Sequence, residues 1–267
     1  MTRRRVVGVD FSGARHAGDH IWIAAGTQQA GRLTLERCEP ARELPGGARD
    51  RETALAALRG FLASERRAAA GLDFPFSLPR SLIEETEWRD FLRAFPARYP
   101  DPEALRTDCR RAAGGREFKR CTDVEAKVPF SAYNLRLYRQ THAGIRSVLL
   151  PLVESGAARV IPMQAPATGK VLLAETCPAS LLKRLGLYGS YKGRGAALRD
   201  SRIKLLNALI TKGLLNRPDR SLRDRIVENR GGDALDAVLA AVAAANLPRL
   251  RRAARQPVER IEGLIYF

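Results

Sequence analysis

The sequence has few of the features of membrane proteins and of proteins held together by disulfides or zinc. No apolar run approaches the ~18 residues of a membrane span, and the basic start MTRRR leads into a short strand, unlike a signal peptide. The chain has 4 cysteines and 3 histidines. The cysteines, at positions 38, 109, 121 and 177, form no CxxC pair. We therefore expect a cytoplasmic protein with reduced thiols, no membrane association and no structural zinc site.

Acidic residues are also few compared with basic ones. Lys and Arg total 46 against 29 Asp and Glu, which leaves a net charge of +17. Lysine occurs only at positions 119, 127, 170, 183, 192, 204 and 212, so most of the positive charge is arginine. The planar guanidinium suits phosphate, and a strongly basic protein attracts nucleic acid. Nucleic acid is therefore the expected partner, and a compositional bias with a solvated basic surface is the alternative.

Strand signals dominate the first part of the chain. Short β-branched runs separated by glycine-containing turns predict an antiparallel meander of three strands, over 5–9, 21–26 and 33–38. A helix over 50–67 and a buried strand over 68–74 are predicted next. His16 and His20, in the turn-like segment HAGDH, are predicted to be loop residues.

The middle of the chain is rich in proline, arginine and glycine, and predicts a helical insertion at about 76–157. It contains a flexible basic loop over 110–130 and a long amphipathic helix over 133–155, a possible homodimer surface. Two strands and three helices follow, over 158–162, 170–176, 178–186, 199–214 and 233–246. The order predicts one α/β domain over 1–267, with a mixed sheet flanked by helices and the antiparallel meander continued by parallel strands.

Four aspartates stand where local structure alone would not require an acid. Asp10 and Asp73 each end a buried strand, and Asp233 and Asp236 open an almost wholly apolar helix at i, i+3 spacing, which puts them on one face. Each has a structural interpretation, because aspartate caps turns and helix starts. Taken together, they predict a site of concentrated negative charge that binds hard divalent cations, Mg²⁺ or Mn²⁺.

Glu175 is a fifth acidic residue that is a candidate for this site. It ends the apolar strand in KVLLAETCPAS and is predicted to point at the same edge of the sheet as Asp73.

Four segments together resemble an RNase H-like predicted nuclease family, domain of unknown function 429. They are GVDFSGA, GLDFPFSLP, ETCPAS and GGDALDAVLAA, and they occur in the family's order across most of the chain. The resemblance implies an RNase H-like sheet in which the first and fourth strands are neighbours. It places Asp10 beside Asp73 and brings the acids of the last helix over them.

The function predicted on this basis is metal-dependent hydrolysis of the phosphodiester bonds of DNA or RNA. Asp10, Asp73, Asp233, Asp236 and Glu175 are the predicted catalytic residues, and the predicted metal ligands are Asp10, Asp73 and one of Asp233 or Asp236. The predicted contacts to nucleic acid are basic side chains: Arg110, Arg111, Arg116, Lys119, Arg120, Lys127, Lys192 and Arg194. Tyr188 and Tyr191 are candidates for stacking on bases.

Two other functions are consistent with the sequence. One is a non-catalytic RNase H-like scaffold that binds nucleic acid or a protein partner, in which the acids are caps and buried acceptors. The other is an actin-like phosphotransferase or ATPase, because DFSGA after the first strand supplies a phosphate-loop-like turn. A second glycine-rich phosphate loop, which that class needs, is not found in the sequence.

Overall fold

The fold is that of a computed structural model, which describes residues 3–247, 254 and 256–267. Within these residues one mixed sheet is formed by β1 Arg4–Asp10, β2 Trp22–Gln29, β3 Arg32–Pro40, β4 Ala69–Asp73, β5 Ala158–Ile161, β6 Val171–Thr176 and β7 Ile265–Tyr266. The strand order is β3-β2-β1-β4-β6-β5, and β7 pairs with the end of β6.

The directions of the strands divide the sheet into two parts. β1, β2 and β3 pair antiparallel, whereas β4 is parallel to β1 and is followed by the parallel strands β6 and β5. The predicted meander and its parallel continuation are therefore confirmed. The carboxyl ends of β1, β4 and β6 share one edge of the sheet, where open α/β sheets bind their ligands.

Helices cover both faces of this sheet, as predicted for an α/β protein. They are α1 Ala17–His20, α2 Arg51–Ser64, α3 Trp88–Arg98, α4 Pro102–Ala112, α5 Cys121–Glu125, α6 Tyr138–Gly144, α7 Leu150–Glu154, α8 Pro178–Leu185, α9 Ala196–Thr211, α10 Arg220–Glu228, α11 Asp233–Asn246 and α12 Glu259–Glu262. None of the described helices has both the length and the apolar composition needed to cross a membrane.

Alternation along β1 gives each face of the sheet its own core. Val7 and Val9 belong to the core formed with α2 and the helices of the insertion. Val6 belongs to the second core, which is formed with α8, α9, α10 and α11. Period-2 side-chain alternation therefore buries both faces of this strand, as expected for a sheet covered on both sides.

Two glycines allow α11 to lie directly on the sheet. Gly8 of β1 and Gly71 of β4 are register partners. A Cβ at Gly8 would stand 2.1 Å from the carbonyl oxygen of Ala237, and one at Gly71 would stand 2.6 Å from that of Ala240. Each glycine stands two residues before a candidate aspartate, so this close approach places the first turn of α11 at the ends of β1 and β4.

We expect Gly8→Ala to destabilise the protein by about 2 kcal/mol or more, because the added methyl group meets helix backbone that cannot move aside as a side chain can. Gly60→Ala is the matched control: Gly60 lies within α2 and a Cβ there meets nothing within 4 Å. That change should stabilise by about 0.5–1 kcal/mol. Urea unfolding measures both, and equal stability of the two variants would contradict the close approach.

The insertion between β4 and β5 is helical, as predicted, but two of its segments differ from expectation. Residues 110–130 are not a simple loop, because α5 lies within them and its first residue bonds to the C-terminal segment: Cys121 N donates to Glu262 Oε2 at 2.7 Å.

The helix predicted over 133–155 begins only at Tyr138 and has a π-helical segment at 145–149. Its apolar side chains, such as Val148 and Leu152, are buried in the chain's own core, so this face offers no free surface for the predicted homodimer.

A carboxylate cleft as the candidate active site

Asp10 and Asp73 lie side by side at the edge of the sheet. They are the last residues of β1 and β4 and are register partners. Asp10 is only 9% exposed and Asp73 is half-buried. No described residue donates a hydrogen bond to either side-chain carboxylate; Gln140 Nε2 reaches only the backbone oxygen of Asp73, at 3.4 Å. The sheet therefore presents two adjacent carboxylates to which no described side chain or backbone N–H donates, at the neighbouring strand ends that the resemblance implied.

The first turn of α11 adds the other two aspartates. Gly232 precedes the helix at φ 83°, and Asp233 and Asp236 follow in its first turn. Asp236 is 2% exposed and is held from two sides: the Tyr191 hydroxyl donates to Oδ1, and the Lys192 ammonium lies 2.5 Å from Oδ2. Asp233 is more open, with His20 Nδ1 3.7 Å from its Oδ2.

Burial raises the pKa of every one of these aspartates, and repulsion from other acids adds to the shift at Asp10, Asp73 and Asp233. Desolvation is the largest cause throughout. For Asp10 it is followed by repulsion from Asp236 and Asp73, which holds the pKa well above its usual value. Burial and the charge of Asp236 raise the pKa of Asp73 to about 8. Lys192 opposes these shifts, but one ammonium leaves the group short of positive charge.

A buried arginine positions the segment that carries Tyr191 and Lys192. Arg202 of α9 is 2% exposed, and its Nη1 donates to the carbonyl oxygens of Tyr191 at 2.6 Å and Gly193 at 3.3 Å. Its Nε donates to the carbonyl oxygen of Val227 at 2.6 Å. These bonds fix the backbone on both sides of Lys192, so Arg202 orients the residues that hold Asp236.

Asp10, Asp73 and Asp233 line a cleft of about 600 Å³. Its lining combines acids with apolar side chains from the turn after β4 and from residues 128–137 of the insertion. Besides Asp10, Asp73, Asp233 and Lys192, the lining includes Phe11, Phe74, Pro75, Val128, Pro129, Phe130, Leu137 and Gln140. The volume falls within the ~300–1,000 Å³ range of pockets that take small ligands.

Glu175 also lines the cleft, and both of its carboxylate oxygens accept hydrogen bonds. Arg120 Nη1 donates to Oε2 at 2.8 Å and Nη2 to Oε1 at 2.5 Å, and the backbone N of Phe76 donates to Oε2 at 2.9 Å. Both carboxylate oxygens are therefore already satisfied. Glu175 therefore anchors Arg120 to β6, and its catalytic role stays a prediction.

Arg120, one of the predicted contacts to nucleic acid, is placed by the structure in the interior and not on the surface. Arg120 is 1% exposed and its guanidinium is shared between Glu175 and Asp123. Nη1 also donates to the backbone oxygen of Glu262, at 3.1 Å. This side chain ties the insertion, the sheet and the C-terminal segment together.

The remaining basic candidates are exposed, but they do not form one contact surface around the acids. Lys119 Nζ donates to the carbonyl oxygen of Val128 at 2.8 Å, which holds it beside the cleft lining. Lys192 lies within the aspartate group. The others are Arg110, Arg111, Arg116, Lys127 and Arg194, which are exposed and absent from the cleft lining. Of the two tyrosines, Tyr188 is 64% exposed, whereas Tyr191 is buried and is occupied with Asp236.

The donor chemistry of the site fits a divalent cation. Asp10 and Asp73 offer carboxylate oxygens that accept no hydrogen bond from residues 3–247, 254 or 256–267, and hard cations such as Mg²⁺ prefer carboxylate ligands. Among the residues that the structure describes, however, no three His, Cys, Asp or Glu side chains are grouped tightly enough to ligate one ion. The positive charge next to Asp236 is supplied by Lys192 instead.

Sequence reasoning missed Arg202 and the contact of His20 with Asp233, and it gave Tyr191 and Lys192 other roles. His20 ends the four-residue helix α1 and is not a loop residue. One signal was available: the pattern Gly-x-Asp occurs at both strand ends, as Gly8-Val9-Asp10 and Gly71-Leu72-Asp73. It marks the two places where α11 approaches the sheet. The long-range contacts of Arg202 have no comparable local pattern.

Comparison of the chain with protein-family models, with curated proteins and with solved structures finds no match.

Proposed function

We propose that the protein is a divalent-metal-dependent nuclease that hydrolyses phosphodiester bonds of DNA or RNA at the carboxylate cleft. One observation carries the proposal: Asp10, buried, and Asp73, half-buried, stand paired at neighbouring strand ends with no donor among the described residues, under a helix that adds two further aspartates. Such a concentration of negative charge in a chain of net charge +17 is costly unless cations bind there.

The strand arrangement supports an RNase H-like assignment of the fold. An antiparallel meander, a parallel β4 beside β1 and a final long helix over their carboxyl ends are the arrangement that the sequence resemblance implies. The edge strand β5 and the helices between β4 and β5 are additions to that arrangement.

Asp10 and Asp73 would hold Mg²⁺ or Mn²⁺, with either Asp233 or Asp236 completing the ligand set. A bound divalent cation supplies a Lewis acid that lowers the pKa of water and stabilises charge on phosphate oxygens. Tyr191 and Lys192 hold Asp236 in place. Lys192 also presents a positive charge at the cleft, where a phosphate oxygen of the substrate would meet it.

The non-catalytic scaffold is a second candidate, favoured by the ion pair between Lys192 and Asp236. If Lys192 is the permanent counter-ion of the group, the protein binds nucleic acid without hydrolysing it. Calorimetry distinguishes the two functions. Retained nucleic-acid binding without a heat of Mn²⁺ binding would support the scaffold.

The test of the nuclease proposal is cleavage of single-stranded, branched and hybrid nucleic acids in Mg²⁺ or Mn²⁺. We expect Asp10→Asn to lower the rate by more than about 100-fold, because loss of a ligand should cost at least as much as loss of a residue that only orients one. Asp108→Asn is the matched control, since Asp108 is an exposed acid on α4, paired with Arg111. Equal cleavage by wild type and Asp10→Asn would remove Asp10 from the mechanism.

A further inference from the structure

The cleft has a second kind of lining that the proposed metal site does not use. Apolar side chains enter it from residues 128–137 of the insertion, namely Val128, Pro129, Phe130 and Leu137. Phe130 is only half-buried, and the guanidinium carbon of Arg136 lies 5.1 Å from its ring centroid. An open aromatic ring supported by an arginine is a surface on which a nucleobase stacks.

The dimensions of the cleft limit what reaches the aspartates. The cleft has a volume of about 600 Å³, and Asp10, which lines it, is only 9% exposed. A phosphodiester therefore has to enter the cleft to meet the carboxylates. A pocket of this size accommodates a ligand of a few rings and a phosphate. A double helix, whose major groove alone is ~12 Å wide, does not fit within it.

We propose that the cleft takes one nucleotide of a single-stranded nucleic acid, with its base against Phe130 and its phosphate at the aspartates. This inference rests on the proposed function for the nature of the ligand and adds its strandedness. Val128 and Leu137 extend the apolar surface beside the ring. Because every base has a stackable face, this contact selects unpaired nucleotides with little dependence on their sequence.

Binding measurements test the inference without requiring hydrolysis. The probes are a labelled single-stranded oligonucleotide, the duplex of the same sequence and an abasic oligonucleotide of the same length, titrated in Ca²⁺ by fluorescence anisotropy. The wild-type protein should bind the single strand more tightly than the duplex. Phe130→Ala should raise the Kd of the single strand by about fivefold or more and leave that of the abasic strand unchanged.

Two further variants separate stacking from folding. Phe61→Ala is the matched control, because Phe61 is a half-buried ring with the Arg37 guanidinium at 5.9 Å but lies on α2, away from the cleft. It should leave all three Kd values unchanged. Phe130→Leu keeps an apolar side chain without the ring and should lose most of the preference for the base-containing strand.

The outcomes distinguish this inference from the nuclease proposal. Phe130-dependent binding of the single strand with no cleavage in Mg²⁺ or Mn²⁺ would contradict the nuclease and support the inference. Cleavage of single and double strands at equal rates, with no effect of Phe130→Ala, would support the nuclease and overturn the inference. An equal loss of affinity for the abasic strand would also overturn it, because stacking cannot act without a base.

Discussion

Arg120→Met should destabilise the protein by about 3–5 kcal/mol, as measured by urea unfolding. Arg120 is the only cation that contacts Asp123 and Glu175 among the described residues, and all three side chains are almost completely buried. Removal of the guanidinium leaves two carboxylates in a low-dielectric setting with one backbone N–H donor each and no positive charge beside them, which costs far more than the net value of the ion pairs. The insertion and the C-terminal segment should loosen together, because Arg120 bonds to both.

The chain contains a matched control for this prediction. Arg111 and Asp108 form an ion pair of the same i, i+3 spacing at 3.0 Å, but Arg111 is 74% exposed. Arg111→Met should therefore change stability by less than about 1 kcal/mol. The triple variant Arg120→Met, Asp123→Asn, Glu175→Gln should recover part of the loss, because it removes the charges left unpaired. If the triple variant were no more stable than Arg120→Met, or if Arg111→Met and Arg120→Met lost the same free energy of unfolding, the buried position of this network would be contradicted.

Much of the sheet and of the candidate site could be predicted from local patterns. The ends of β1 and β4 follow from short β-branched or apolar runs closed by Asp10 and Asp73, whereas the neighbouring positions of these residues were implied only by the family resemblance. The apolar run that follows Asp233 and Asp236 marks α11. In each case the signal lies within about ten residues, which is the range over which periodicity and turn chemistry act.

The parts that could not be predicted depend on contacts between distant residues. Arg120 stands in a basic, glycine-containing stretch that is typical of an exposed loop, and its burial depends on distant partners: the carboxylate of Glu175, 55 positions away, and the backbone oxygen of Glu262. Arg202 looks like an ordinary surface arginine of a helix until the carbonyl oxygens of the Tyr191 segment are placed beside it. A charged side chain is assigned to the surface by default, and its burial is decided by partners that the local sequence does not contain.

Asp73→Asn should raise stability at pH 8 while leaving it nearly unchanged at pH 4, in the absence of divalent cations. The folded-state pKa of Asp73, about 8, is raised above that of the unfolded chain. The folded protein therefore binds the extra proton between about pH 4 and pH 8, and its stability falls as the pH rises through this window. The asparagine variant lacks this fall, so its advantage at pH 8 should be on the order of 3 kcal/mol, allowing for solvent contact of the half-buried carboxylate.

Thermal unfolding with and without Mg²⁺ connects this pH dependence to the proposed site. A cation that binds the folded carboxylates should raise the Tm of the wild type at pH 8. The Tm of Asp73→Asn should rise much less, because the variant lacks one ligand of the cation and also lacks the charge repulsion that the cation would relieve. Asp108→Asn, which changes an exposed acid outside the cleft, should follow the wild type throughout. If the wild type and Asp73→Asn gave parallel pH profiles, Asp73 would be ionised without cost in the folded protein. The argument for a cation at the strand ends would then lose its electrostatic basis.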